Sequence, residues 1–160
     1  MEEPCVTVLL VDDYEPFRRF VVTKLKAQPH LRILSEVSDG VEAVEKAKEL
    51  QPDLILLDIG LPRLNGIAAA RQIQHLSPKS KILFVTENRS SDVAEEALRA
   101  GGLGYVLKSD AENDLVSAID AVLGGKRFIS ATLAGHFLVA TTMSGQAMLS
   151  WIVTNLAGIY

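Results

Sequence analysis

Short apolar or β-branched runs recur along the chain at Val6–Val11, Leu31–Val37, Leu54–Ile59, Ile82–Val85 and Tyr105–Leu107. Each has the length of a strand rather than of a helix. Between the first runs, apolar residues fall at three- and four-residue steps: Phe17, Phe20, Val21 and Leu25, then Val41, Val44, Ala47 and Leu50. That spacing predicts two amphipathic helices. Three more are predicted over Gly66–Leu76, Ser91–Ala100 and Glu112–Leu123. Ser77-Pro78, Gly101-Gly102 and Gly124-Gly125 stop them, and Ser90 or Ser91 caps the fourth helix. The order is strand then helix, five times over.

Leu54–Leu57 and Ile82–Val85 are apolar without alternation, the signature of strands covered on both faces. Strict β-α alternation therefore predicts an α/β fold, an open parallel sheet doubly wound between helical layers. In such sheets the functional groups sit at the carboxyl ends of the strands, where strand order reverses. The residues found there are Asp12-Asp13, Asp58, Thr86 and Lys108.

If the first and third strands are neighbours, three carboxylates converge and require a counter-cation. Oxygen donors without His or Cys suit a hard ion, Mg²⁺ or Mn²⁺. Lys108 adds a fixed ammonium and Thr86 a hydroxyl. Together these groups fit a transferable phosphoryl group, with a carboxylate attacking in line while cations offset charge on the phosphoryl oxygens. Taken singly, each residue has an ordinary role: a helix cap for either Asp, a turn for Thr86, a solvated surface for Lys108. Their joint place at successive strand ends is what points to a site. His30, His75 and His136 lack partners at ligand spacing and read as surface or cap residues. Cys5 reads as a small buried hydrophobe.

Composition narrows the picture further. The chain has 160 residues and suits one full-sized domain. Its net charge of −4 argues against a general nucleic-acid binder. A single cysteine and an acidic start, Met1-Glu2-Glu3-Pro4, fit a reduced cytoplasmic setting without a secretory signal. Every Lys, Arg, Asp and Glu lies at or before Arg127. The expected division is thus a charged domain over 1–127 and an uncharged apolar tail over 128–160. In the tail, Leu149, Ile152, Val153, Leu156 and Tyr160 share one helical face. Three readings stand for it: a segment for dimerisation or partner docking, a membrane contact weakened by its Thr, Ser, Gln and Asn, or the remnant of a lost output domain.

Residues 6 to about 127 resemble the receiver domain of two-component response regulators. The matching stretches are Val8-Leu-Leu-Val-Asp-Asp13, Pro52-Asp-Leu-Ile-Leu-Leu-Asp-Ile-Gly-Leu-Pro62 with Asn65-Gly66, Val85-Thr86, and Gly104-Tyr-Val-Leu-Lys108. The resemblance implies a flavodoxin-like (βα)5 fold with five parallel strands in the order 2-1-3-4-5. It implies that Asp58 is the phosphoacceptor, charged by a phosphohistidine of a sensor histidine kinase or phosphotransfer protein. Asp13 would hold Mg²⁺ (or Mn²⁺) directly and Asp12 largely through water, with Asp58 and the Gly60 carbonyl as further ligands. Lys108 would pair with the acceptor and then with the phosphoryl group. Thr86 and Tyr105 would act as the switch that reshapes the surface of the fourth helix, fifth strand and fifth helix. Ser109 stands where many receivers have proline, and Lys108-Ser-Asp-Ala111 resembles the subclass that usually carries a LuxR-type helix-turn-helix output. Glu87 stands where a small residue is common.

An output domain of that type needs several Arg or Lys for phosphate contacts, and 128–160 has none, so direct DNA binding is not expected. The expected function is a phosphorylation switch controlling dimerisation or partner binding, without substrate turnover. The alternative is a degenerate or truncated regulator acting as a constitutive dimerisation module through its tail. A flavodoxin-like electron carrier shares the sheet, but Asp12-Asp13 would repel a flavin phosphate. An aspartate-nucleophile phosphatase would place an acid where Gly60 stands.

Overall fold

A computed structural model describes residues 5–134, and the tail from 135 onward, with its expected helix and His136, lies outside the described residues. The strands are β1 (Val6–Val11), β2 (Leu31–Val37), β3 (Leu54–Leu57), β4 (Lys81–Thr86), β5 (Gly102–Leu107) and β6 (Phe128–Ile129). The helices are α1 (Glu15–Lys26), α2 (Gly40–Leu50), α3 (Gly66–Leu76), α4 (Ser91–Arg99) and α5 (Ala111–Leu123). The sheet runs in the order β2-β1-β3-β4-β5-β6, and every adjacent pair is parallel.

The expected five-stranded sheet is therefore a six-stranded one. Phe128–Ile129 follow the last charged residue and fall within the expected tail, yet they pair with Gly104 and Tyr105 of β5. The end of the charged sequence does not mark the end of the sheet. β5 also begins earlier than expected. Its first turn-like residues, Gly102 and Gly104, are glycines because a Cβ would lie 2.6 Å from the Phe84 ring at one and 2.6 Å from Leu83 Cδ1 at the other. Cys5 is exposed, contrary to the expected burial, because it precedes β1 and has no place on either sheet face.

Both sheet faces are covered. Leu9, Val11, Ile55, Leu57 and Phe84 pack with α2, α3 and α4, whereas Val8, Leu10, Leu54, Leu56, Leu83 and Val85 pack with α1 and α5. That two-sided burial is why β3 and β4 read as unbroken apolar runs. Side-chain caps place three helices: Asp39, Asn65 and Ser90 accept the N–H groups of Glu42, Ala68 and Val93. α1 starts differently, with Tyr14 as its cap residue and Pro16 in its first turn. Among the described residues no helix is long and apolar enough to cross a membrane.

Candidate functional site

Strand order reverses between β1 and β3, which run in register from the Val8–Leu54 pair to the Val11–Leu57 pair. The Asp58 N–H donates to the Val11 carbonyl at 3.1 Å, so Asp12 and Asp58 leave the sheet side by side. Both are buried, at 2% and 6% exposure, while Asp13 stands exposed at the rim. One oxygen from each of the three carboxylates lies within 4.8 Å of the others.

Lys108, in the turn that follows β5, answers part of that charge. Its Nζ lies 2.8 Å from Asp12 Oδ2 and 3.1 Å from Asp58 Oδ2. The remaining oxygens of the two buried acids take backbone donors: Tyr14 N–H reaches Asp12 Oδ1 at 2.8 Å and Ile59 N–H reaches Asp58 Oδ1 at 2.7 Å. The Lys108 ammonium also lies 4.7 Å from the centroid of the Phe17 ring, a cation–π contact that shields it from water on one side. Arg18 donates to the Asp12 carbonyl at 2.6 Å and so holds the chain where it leaves β1.

Burial pushes the Asp12 carboxyl above its ordinary value, and the Asp58 charge adds to this, against the opposing bonds from Lys108 and Tyr14. For Lys108, burial alone would lower the pKa. The Asp12 hydrogen bond and the charge of Asp58 outweigh it, so the ammonium is held above the usual lysine value. Burial, and then the Asp58 charge, raise the Tyr105 phenol.

Asp13, Asp58, Gly60, Thr86, Glu87 and Lys108 line a cavity of about 610 Å³, with Tyr14, Ile59 and Asn88 completing its wall. Thr86, the last residue of β4, is 2% exposed and its hydroxyl accepts the Asn88 N–H at 3.3 Å. Tyr105 is wholly buried in β5, and its hydroxyl donates to the Asn88 carbonyl at 2.8 Å. Asn88 thus links the two expected switch residues through its backbone. Glu87 is exposed beside the cavity mouth. Ser109 accepts from Arg89 at 2.9 Å, which ties the loop after β4 to the turn after β5.

All seven expected site residues, Asp12, Asp13, Asp58, Gly60, Thr86, Tyr105 and Lys108, therefore gather at one end of the sheet. Asp12 does not cap α1; its side chain holds the Tyr14 N–H that precedes the helix. The roles of Phe17, Arg18 and the Ile59 N–H at the site carry no signal in the sequence. Phe17 falls on the apolar stripe of α1, where periodicity assigns it to the core alone. Gly66 has a steric role at the site: a Cβ there would lie 2.0 Å from the Asp58 carbonyl oxygen.

The donor set fits a hard divalent cation. Three carboxylates offer clustered oxygens, no His or Cys belongs to the group, and two members, Asp13 and Asp58, line the open cavity.

A family profile described as the response regulator receiver domain matches residues 8–120. The transcriptional regulatory protein LiaR of Bacillus subtilis (strain 168) is 35% identical over 141 residues, spanning 88% of this chain and 67% of that protein. The response regulator GacA of Pseudomonas viridiflava is 32% identical over 129 residues, spanning 81% of this chain and 60% of that protein. This chain thus matches only about three-fifths to two-thirds of the length of these relatives. Among solved structures, a LuxR-family two-component response regulator from Aurantimonas sp. SI85-9A1 superposes with a TM-score of 0.78 at 34% identity, over 82% of this chain and 94% of that one.

Proposed function

The chain belongs to the response regulator receiver family of two-component signalling, and from that premise we propose that it is switched by a phosphoryl group accepted on Asp58. The observation that carries this reading is the Lys108 ammonium bridging Asp12 and Asp58 at the edge of an open cavity. A buried acid beside a fixed cation, reachable from solvent on one side, has what an acyl-phosphate site requires.

In the proposed step an Asp58 carboxylate oxygen attacks the phosphorus of a phosphohistidine. The P–N bond breaks as the P–O bond forms, and the imidazole leaves with the electron pair. Lys108 offsets negative charge on the phosphoryl oxygens. The Ile59 N–H, 2.7 Å from Asp58 Oδ1, fixes the carboxylate plane before attack. Asp12, Asp13, Asp58 and the Gly60 carbonyl would hold Mg²⁺, which supplies further charge neutralisation at the phosphoryl oxygens when bound. Thr86 lies on the cavity wall, so its hydroxyl is available to the phosphoryl group once it releases the Asn88 N–H. That release alters the Asn88 backbone, to which Tyr105 is bonded, and so carries the event to the surface of α4, β5 and α5.

The donor in this reading is a sensor histidine kinase or phosphotransfer protein, and the output is a change in self-association or partner binding. The only chemistry is the protein's own modification and its reversal. The receiver unit, expected over 1–127, continues in this reading through residue 134, because Leu133 and Ala134 are buried in the same core as Tyr105.

Incubation with acetyl phosphate and Mg²⁺, borohydride trapping and peptide mapping test the assignment. The label is expected on the peptide containing Asp58 and nowhere else. A label on another acid would refute it.

A further inference from the structure

Ser130 follows β6 and starts a helical turn, since its carbonyl accepts the N–H groups of Leu133 at 3.0 Å and Ala134 at 2.9 Å. A serine at such a position ordinarily turns its hydroxyl onto the N–H groups of its own first helical turn. Ser130 does otherwise. Its Oγ accepts the Leu107 N–H at 2.9 Å, and its own N–H donates to the Tyr105 carbonyl at 3.0 Å. The side chain thus extends the β5–β6 ladder one rung beyond the end of the β6 backbone. It does so while wholly buried, where a lost partner leaves the Leu107 N–H without an acceptor.

The two β5 residues it holds lie at the site. Tyr105 reaches the Asn88 carbonyl, and Leu107 immediately precedes Lys108, whose ammonium bridges Asp12 and Asp58. Leu133 and Ala134 then pack in the cluster that contains Tyr105, Leu107, Ala94 and Ala97. The segment 128–134 is therefore fastened to the strand that delivers the cation, by backbone pairing, by one hydroxyl and by apolar packing.

We infer that Ser130 is a positioning residue for the carboxyl end of β5, and that docking of 128–134 is coupled to the geometry of Lys108 and Tyr105. The inference rests on the reading of Lys108 and Tyr105 as working parts of the site. Coupling of this kind is reciprocal: an event at Asp58 that shifts β5 changes the hold on 128–134, and loosening that segment changes the site. The chain beyond Ala134 is joined directly to this device.

The test compares Ser130→Thr with Ser130→Val in the full chain. These two side chains share one shape and differ by the hydroxyl, so any overpacking is common to both. Ser77→Ala serves as control, a buried serine at the far end of the sheet whose hydroxyl bonds Ser80 at 2.6 Å. Amide exchange by NMR is expected to be about tenfold faster at Leu107 in the valine variant than in the threonine variant, the scale of one net hydrogen bond. Lys108 and Tyr105 resonances shift in the valine variant and hold in the control. Affinity for beryllium fluoride with Mg²⁺, a phosphoryl mimic, falls about fivefold or more with valine, returns with threonine and is unchanged in Ser77→Ala. Equal Leu107 exchange in the Thr and Val variants, unmoved site resonances, or an equal affinity loss in the control would each overturn the inference. Absence of mimic binding by the unaltered protein would refute the phosphoacceptor reading, and the exchange and resonance comparisons would still decide the role of Ser130.

Discussion

Lys108 Nζ stands 2.8 Å from Asp12 Oδ2, closer than the 3.1 Å that separates it from Asp58 Oδ2. Three of the groups at the strand ends are thus one electrostatic unit, in which the lysine is shared by a raised acid and the proposed acceptor. Burial makes the unit depend on every member, because an uncompensated buried charge is expensive.

Lys108→Met removes the cation from that unit and is expected to destabilise the fold by about 3–5 kcal/mol at pH 8. The loss should be smaller at pH 5. Burial already raises the Asp12 carboxyl, and without the ammonium it binds its proton more tightly still than in the unfolded chain, so stability falls as pH rises above the ordinary carboxylate range. Thermal melts of both proteins at the two pH values check this, and a loss independent of pH would contradict it.

Mg²⁺ binding to the folded site should raise stability by about 2.7 kcal/mol at a hundredfold excess over its Kd. Chelation should return the melting temperature to the metal-free value. Asp13→Asn keeps the shape of the rim but removes a charged donor, so the same Mg²⁺ concentration should shift its melting temperature much less. Calorimetry with and without chelator supplies the measurement.

Asp39 gives the opposite pH signature. The Glu42 N–H first, and then Arg63, hold its carboxyl below the ordinary value of 3.8. Its contribution is present above that value and is lost as pH falls through the lower, folded-state pKa. Asp39→Asn retains a capping oxygen and removes the titration. Its stability should therefore fall less steeply than that of the unaltered protein between about pH 4.5 and 2.5, as read from urea melts.

Gly66 and Gly60 separate steric need from openness. A Cβ at Gly66 would meet the Asp58 carbonyl oxygen at 2.0 Å, whereas one at Gly60 meets nothing within 4 Å. Gly66→Ala should cost about 1–3 kcal/mol through displacement of the Asp58–Ile59 backbone. Gly60→Ala should stay within about 0.5 kcal/mol. Paired denaturant melts decide between these values.

Much of this site is legible in the sequence because strand ends in a parallel sheet are marked by a change of polarity. Asp12, Asp58, Thr86 and Lys108 each end an apolar run, and topology alone then brings them together. What the sequence conceals follows from the same physics. β6 has only two residues at the sheet edge, too few for a periodic signal, and it lies just past the charge boundary at Arg127. The start of β5 is hidden because Gly101-Gly102 reads as a helix stop, although crowding by Phe84 is what requires glycine at 102. Phe17 and Ser130 are invisible for another reason. Their partners, Lys108 and Leu107, are distant in sequence, and no local pattern encodes a contact made only by the folded sheet.

The central claim is that Asp58 accepts a phosphoryl group beside Lys108 in a metal-dependent reaction. Intact-mass spectrometry over time after adding acetyl phosphate and Mg²⁺, beside Asp58→Asn and a metal-free sample, tests it most directly. The account predicts one phosphoryl adduct in the unaltered protein with Mg²⁺ and none in the other two. No adduct in folded protein at any time, or an adduct that persists in Asp58→Asn, would contradict it.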